Sequence, residues 1–257
     1  MIGAPAVLAW IMLIGFVLLA PFIAADIAAE GIPEGVRRNI GWLALAGTVN
    51  VLGLLSVIGG LQRGKVGIVS AITSTEGAVA ALIAAVAGEP ISVFTGVLLA
   101  LITCGVFLAA LAPDHDRHEG AGHAAILAAI AAACFGVGLY AAGRVSGSVP
   151  AIWASSPARI AGVVAVALPL AVRGRLRLTT QVAPLVAAAG VCEVVGFIFY
   201  VIGARHGIAI AAVLGSQFAA IAAIGAYFLF RERLARLQLA GVVATLAGVA
   251  ALTALRG

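Results

Sequence analysis

Nine apolar stretches, each suited to crossing a bilayer as a helix, constrain this chain more than any motif within it. They run Ala4–Ala25, Ile40–Leu61, Val66–Ala87, Ile91–Ala112, His123–Ala142, Pro157–Val172, Val182–Ala204, Ile208–Phe230 and Leu237–Leu255. About 20 residues of α-helix cover the roughly 30 Å of hydrocarbon in a bilayer. The Pro157 stretch is short, but Ser156 ahead of it reads as an N-cap followed by a first-turn proline. A transmembrane barrel is excluded, because its strands would alternate polar and apolar residues. A water-soluble fold is excluded by composition. Hydrophobic residues make up 63% of the chain and charged ones 10%, where soluble domains hold roughly 45–50% and 25%. The expectation is an all-α integral membrane protein, multi-pass in the cell membrane and in contact with lipid. Met1–Ala25 lacks a charged leader and is too long an apolar run for a cleaved signal, so it reads as a retained span.

The second constraint is internal repetition. Shifted by 143 residues, Ile40–Ala112 lies on Ala183–Leu255 without a gap. Gly47, Gly53, Gly60 and Gly64 then meet Gly190, Gly196, Gly203 and Gly207, and Glu89 meets Glu232. Asn50 falls opposite Glu193, and Thr73 and Ser74 fall opposite Ser216 and Gln217. Only 11 of the 73 pairs are identical, which an Ala/Gly/Val-rich chain nearly reaches by chance. Chance accounts poorly for the shared span boundaries, the glycine spacing and the glutamate at the same helix end. Residues 1–112 therefore form a first repeat of four spans, 113–122 a polar linker, and 123–257 a second repeat of five. The counterpart of the His123 span would precede Met1, so this 4+5 arrangement reads as a 5+5 one without its first helix. Matching spans lie five crossings apart, an odd number, which gives the copies opposite orientations. Inverted-repeat bundles are typical of secondary transporters, whose sites lie near the midplane where the copies face each other.

Polar groups inside the apolar runs are the candidate site. A carboxylate at a helix centre costs roughly 2.5–3.5 kcal/mol on insertion scales, so Glu76 should face a bundle interior or a wet cavity. Ser70, Thr73, Ser74 and Gly77 follow helical spacing and form one stripe, with Glu76 at its edge. Hydroxyls and glycines also glue helices together, and that structural reading stands beside the functional one. Glu193 is the second mid-span carboxylate, with Tyr200 on the same face. Asn50, Thr73, Ser74, Glu76, Glu193, Tyr200, Ser216 and Gln217 are thus the substrate-pathway candidates. A carboxyl group in low dielectric can carry a proton, which makes Glu76 and Glu193 the proton-coupling candidates.

Several other signals reduce to bland readings. Gly59–Lys65 (GGLQRGK) nearly matches a phosphate loop, but Val66 replaces the required hydroxyl and the segment joins two spans. The linker DHDRHEGAGH (Asp114–His123) has no metal-ligand spacing, so no metal is expected, and no cofactor. Glu89 and Glu232 read as helix-end contacts or salt bridges. Ala240, Ala244 and Gly248 form a small-residue packing ladder. Arg159 lies in the first turn of its span and can snorkel to the interface, with a role in binding an anionic substrate as the secondary reading. Cys104, Cys134 and Cys192 are isolated small hydrophobes. The formal net charge of +5 comes from short clusters such as Arg173/Arg175/Arg177, which flank spans rather than form a nucleic-acid face.

Two segments also carry a resemblance. RERLARLQLAGVVATLAGVAAL near the end, and GLQRGKVGIVSAITSTEGAVAALIAAVAGEPI with its Gly88-Glu89-Pro90 turn, resemble EamA-type transporters of the drug/metabolite transporter superfamily. The resemblance implies ten helices in two inverted five-helix bundles that move small metabolites without ATP hydrolysis. It also implies a cytoplasmic C-terminus. Loop charges oppose that orientation, with nine Lys/Arg on the Met1 side against five on the other. The expected function is secondary transport of a small molecule, with no enzymatic activity and no nucleic-acid partner. The alternatives are a membrane-embedded enzyme or lipid-handling protein and a non-transporting remnant. Substrate, direction, coupling ion and assembly into homo-oligomers stay open.

Overall fold

The structure is a computed structural model and describes residues 4–64, 66–110, 121–217 and 236–254. It is all-helical among those residues. The helices are α1 (Ala4–Glu30), α2 (Glu34–Arg38), α3 (Ile40–Leu61), α4 (Val66–Thr73), α5 (Glu76–Val86), α6 (Val93–Ala110) and α7 (Ala121–Val145). Next come α8 (Ala151–Gly162), a π-turn (Val163–Ala167), α9 (Leu168–Val172), α10 (Ala183–Ala204), α11 (Ile208–Gly215) and α12 (Arg236–Ala254). Six of the described stretches are long and apolar enough to cross a membrane, and the α6 and α12 regions are shorter apolar helices. Their outward faces stay apolar, with Val93 86% exposed and Val86 82%. Such faces suit lipid, because helices satisfy their backbone groups internally.

Two expected elements differ. The Val66–Ala87 span is not one helix, because α4 stops at Thr73 and α5 starts at Glu76. Ser74 Oγ donates to the Ala71 carbonyl at 2.8 Å and Thr75 Oγ1 to that of Ile72 at 2.7 Å. These back-bonds compete with the helical ladder, and the Thr75 amide closes a tighter turn onto the Ile72 carbonyl. The Pro157 span starts earlier, at Ala151 behind Pro150, and Pro157 lies inside α8. An interior proline leaves a carbonyl without its donor. Ser156 Oγ donates to the Trp153 carbonyl at 2.9 Å, so its hydroxyl does that work instead of capping. The Ile208 span is helical to Gly215, and its continuation from 218 lies outside the described residues.

The chain divides into two compact units, Met1–Leu52 with Ala141–His206, and Gly53–Tyr140 with Gly207–Gly257. Each unit draws on both halves of the sequence. In the first, α1 packs on α8, the π-turn and α10. Gly47 lets α3 reach α8, since a Cβ there would sit 2.9 Å from the Pro157 carbonyl oxygen. In the second, α6 packs on α12 and α5 on α11. Its core gathers Leu98, Leu99, Ile102, Val106, Tyr140, Val213 and Val242.

Glu89 fills the helix-end role expected of it. Gly88 ends the α5 segment at φ +94° and Gly207 opens α11 at φ +151°, both in the region that favours glycine. The Glu89 carboxylate accepts from the Ile208 amide at 3.1 Å and the Ala209 amide at 3.3 Å. A carboxylate on the first amides of a helix satisfies orphan donors and complements the dipole. Glu89→Ala is therefore expected to lower stability by about 1 kcal/mol, read as a fall in the unfolding midpoint in lipid nanodiscs. Its repeat partner Glu232 lies outside the described residues.

Candidate functional site

Two polar clusters interrupt the apolar interior, one in each unit. In the second unit, α4 and α11 both end in hydroxyl-bearing turns, Thr73-Ser74-Thr75 and Ser216-Gln217. Thr73, Ser74 and Ser216 are buried, while Glu76 and Gln217 are half-buried. Ser216 Oγ donates to the Val213 carbonyl at 3.1 Å. Thr73 Oγ1 and Gln217 Nε2 have no hydrogen-bond partner among the described residues. Gly77 of α5 packs against the end of α11, where an added Cβ would press on Ser216 and lie 2.6 Å from the Ala212 carbonyl oxygen. Glu76 opens α5, where a carboxylate is favoured by the helix dipole. Gly136 of α7 packs just behind it, with an added Cβ 2.8 Å from the Glu76 carbonyl oxygen.

In the first unit, Glu193 of α10 is not a lone carboxylate. Arg159 Nη1 donates to Glu193 Oε1 at 2.6 Å. Arg159 was expected to snorkel, and the structure overturns that. With α8 starting at Ala151, Arg159 falls in its last turn, 1% exposed, with its stem against Gly15. The pair is one-pronged: Arg159 Nε and Nη2 and Glu193 Oε2 are buried without partners among the described residues. A 220 Å³ cleft beside it is lined by apolar residues of α1, among them Phe16, Leu19 and Ile23, together with Ser156, Arg159 and Ile160 of α8. Tyr200 is buried, its ring 5.7 Å from that of Phe197. Asn50 is half-buried on α3, with Oδ1 unpartnered among the described residues.

The structure thus brings Thr73, Ser74, Glu76, Ser216 and Gln217 into one unit and holds Asn50, Glu193 and Tyr200 in the other. The pairing of Arg159 with Glu193 is what sequence reasoning missed. The available signal was a lone arginine and a lone glutamate in neighbouring spans, each too costly to leave unpaired in hydrocarbon. Of the linker histidines, His115 and His118 lie outside the described residues.

Residues 2–111 match the EamA-like transporter family. No curated protein matches the chain by sequence. A protein known from its crystal structure shares the fold, with a TM-score of 0.75 at 16% identity, over 99% of this chain and 88% of that one. Residues 2–111 are thus similar to the EamA-like transporter family, whose members are multi-pass membrane proteins, and six of the described stretches of this chain are long and apolar enough to cross a membrane.

Proposed function

We propose that this chain is a secondary transporter that moves small metabolites across the cell membrane by alternating access between two inverted repeats, 1–112 and 123–257. The reading takes the nine apolar stretches as nine spans in a 4+5 arrangement. One observation carries it: two helices from opposite halves of the sequence, α4 and α11, end at repeat-matched polar turns inside otherwise apolar packing. Interrupted helices with polar ends in mid-membrane are how such transporters present backbone and side-chain groups to substrate and coupling ion. The match of residues 2–111 to the EamA-like transporter family supports the same reading. Asn50, Thr73, Ser74, Glu76, Glu193, Tyr200, Ser216 and Gln217 line the substrate pathway, and a coupling ion acts through Glu76 or Glu193.

The test uses the protein reconstituted in liposomes and a panel of amino acids, sugars, nucleosides, amines and organic acids. Saturable uptake of one chemical class is expected. Glu76→Gln should reduce it at least about tenfold, equivalent to about 1.4 kcal/mol, while the variant still unfolds cooperatively. A well-folded wild type that carries no member of the panel would sink the proposal.

A further inference from the structure

We infer that the cleft between α1 and α8 is a binding site for the carboxylate of an amphiphilic acid, held by the free edge of Arg159. The inference deepens the transporter reading and rests on it for one consequence, that the acid is the cargo. A guanidinium carries five N–H donors in a rigid fork and keeps its proton in proteins. Nη1 of Arg159 is engaged, with Glu193 Oε1 at 2.6 Å and Met12 Sδ at 3.6 Å. Nε and Nη2 are buried and have no partner among the described residues. These two nitrogens form the side edge of the guanidinium, the one opposite Nη1. That edge presents parallel N–H groups, the arrangement that grips both oxygens of a carboxylate. A buried charged donor left without an acceptor is costly, and a native fold that keeps two of them calls for an occupant.

Space for an occupant lies beside the arginine. Arg159 is among the side chains that line the 220 Å³ cleft, and along α1 that lining runs from Phe16 to Ile27. Two contacts between α1 and α8 frame it. At one, Gly15 lets the arginine stem lie on α1, since an added Cβ would sit 2.9 Å from Arg159 Cδ and 3.1 Å from Nε. At the other, Trp153 Nε1 donates to Asp26 Oδ2 at 2.9 Å. The lining is hydrocarbon apart from Ser156 and Arg159. Ser156 spends its proton on the Trp153 carbonyl, which leaves Arg159 as the one side-chain donor free in the cleft.

One cation in an otherwise apolar slot selects a singly charged acid with an apolar body. A dry apolar cavity of about 150 Å³ takes up benzene, so 220 Å³ admits an aromatic ring with a short acid arm. A phosphate would bring more oxygens and a second charge into a space with no further donors, and burying unpaired charge is costly. Phe16, Ile27 and Ile160 are exposed and leave a longer tail a way out. The acid can therefore come from solution or from the bilayer.

The experiment is thermal unfolding of the full chain in lipid nanodiscs, titrated with phenylacetate against its neutral amide, phenylacetamide, and then with laurate. A ligand that binds the folded state raises the midpoint saturably. The expected result is a saturable rise with phenylacetate and none with phenylacetamide. Arg159→Lys keeps the charge but loses the fork, and should weaken the apparent affinity at least about tenfold, as for one lost charge-assisted hydrogen bond. Ala20→Leu fills the cleft from α1 with both members of the ion pair in place. It should abolish the rise, and it decides the matter by itself if the lysine variant does not fold. Cys104→Ala, on α6, should keep the rise. A rise with laurate alone, with the same dependence on both variants, also upholds the site and makes its occupant a fatty acid of the bilayer. Equal responses to acid and amide, a response to neither acid, or a rise that either variant keeps at full affinity overturns the inference. Binding is read without transport, so phenylacetate binding by a protein that carries no member of the panel would sink the transporter reading alone.

Discussion

Glu193→Leu is expected to destabilise the protein by about 3–5 kcal/mol, the cost of leaving one member of a buried ion pair without the other. Arg159→Met should cost less, about 1.5–3 kcal/mol, the range for a hydrogen bond to a charged group. The asymmetry follows from what each group can do alone. Arg159 is 1% exposed and already has two nitrogens without partners among the described residues, so losing Glu193 strands a full positive charge among apolar side chains. Glu193 left without Arg159 can take up a proton and become neutral, which a guanidinium cannot do. The double variant Arg159→Met/Glu193→Leu should recover most of the loss, because apolar replacement of a whole buried pair is often neutral or better. Unfolding free energies of the four proteins in nanodiscs, combined as a cycle, measure this directly. Equal single-variant costs, or a double variant no better than the sum of the singles, would show that the pair is not held as described. If the double variant recovers stability but transports nothing, the pair serves the site rather than the fold.

Why Arg159 was misread shows where legibility in this sequence ends. Hydropathy locates helices well, and Ile40–Leu61 is a helix with those bounds. It also picks out polar residues that are buried, Thr73 and Ser74 of the stripe and Ser216 aligned with Thr73. Hydropathy is blind to a hydroxyl that bonds back to its own backbone. The same chemistry therefore escaped notice twice, at Ser74-Thr75, where it accompanies a helix break, and at Ser156, where it lets a helix continue through Pro157. Moving the start of α8 back to Ala151 carried Arg159 from a first turn at the interface to a buried last turn. Its partner lies 34 residues away on another helix, and no local pattern reports such a pairing. The Glu89 cap on α11 is similar: the residue looked like a helix-end group, while the helix it serves lies 119 residues on. The repeat register aligned the ends of α4 and α11, and the structure seats Gly77, just past the α4–α5 break, against Ser216 and Ala212 at the end of α11.

Two glycines of α6 give a sharper test of the second unit, because the same substitution should act with opposite signs. Gly→Ala in a helix gains about 0.5–1 kcal/mol when nothing else changes, since glycine has more backbone freedom to lose. At Gly96 nothing lies within 4 Å of an added Cβ, so Gly96→Ala should be neutral or stabilising. At Gly105 the added Cβ would lie 2.8 Å from both the Gly241 carbonyl oxygen and the Thr245 amide nitrogen of α12. Both are backbone atoms, which cannot step aside as a flexible side chain could. Gly105→Ala must instead push α6 away from α12, at a cost of about 1–3 kcal/mol for overpacking, and Gly105→Val should cost more. Separating the helices also disturbs Thr245, whose hydroxyl donates to the Gly241 carbonyl at 2.9 Å beside the contact. Gly248, the repeat partner of Gly105, meets Ile102 of α6 across the same seam, with an added Cβ 2.6 Å from its Cγ1. Gly248→Ala should therefore cost less than Gly105→Ala, because Ile102 can change rotamer where backbone cannot. Unfolding midpoints ordered Gly96→Ala, Gly248→Ala, Gly105→Ala, Gly105→Val from highest to lowest would establish this seam as a close backbone contact. A Gly105→Ala protein as stable as Gly96→Ala would mean that α6 and α12 are not packed this tightly in the bilayer.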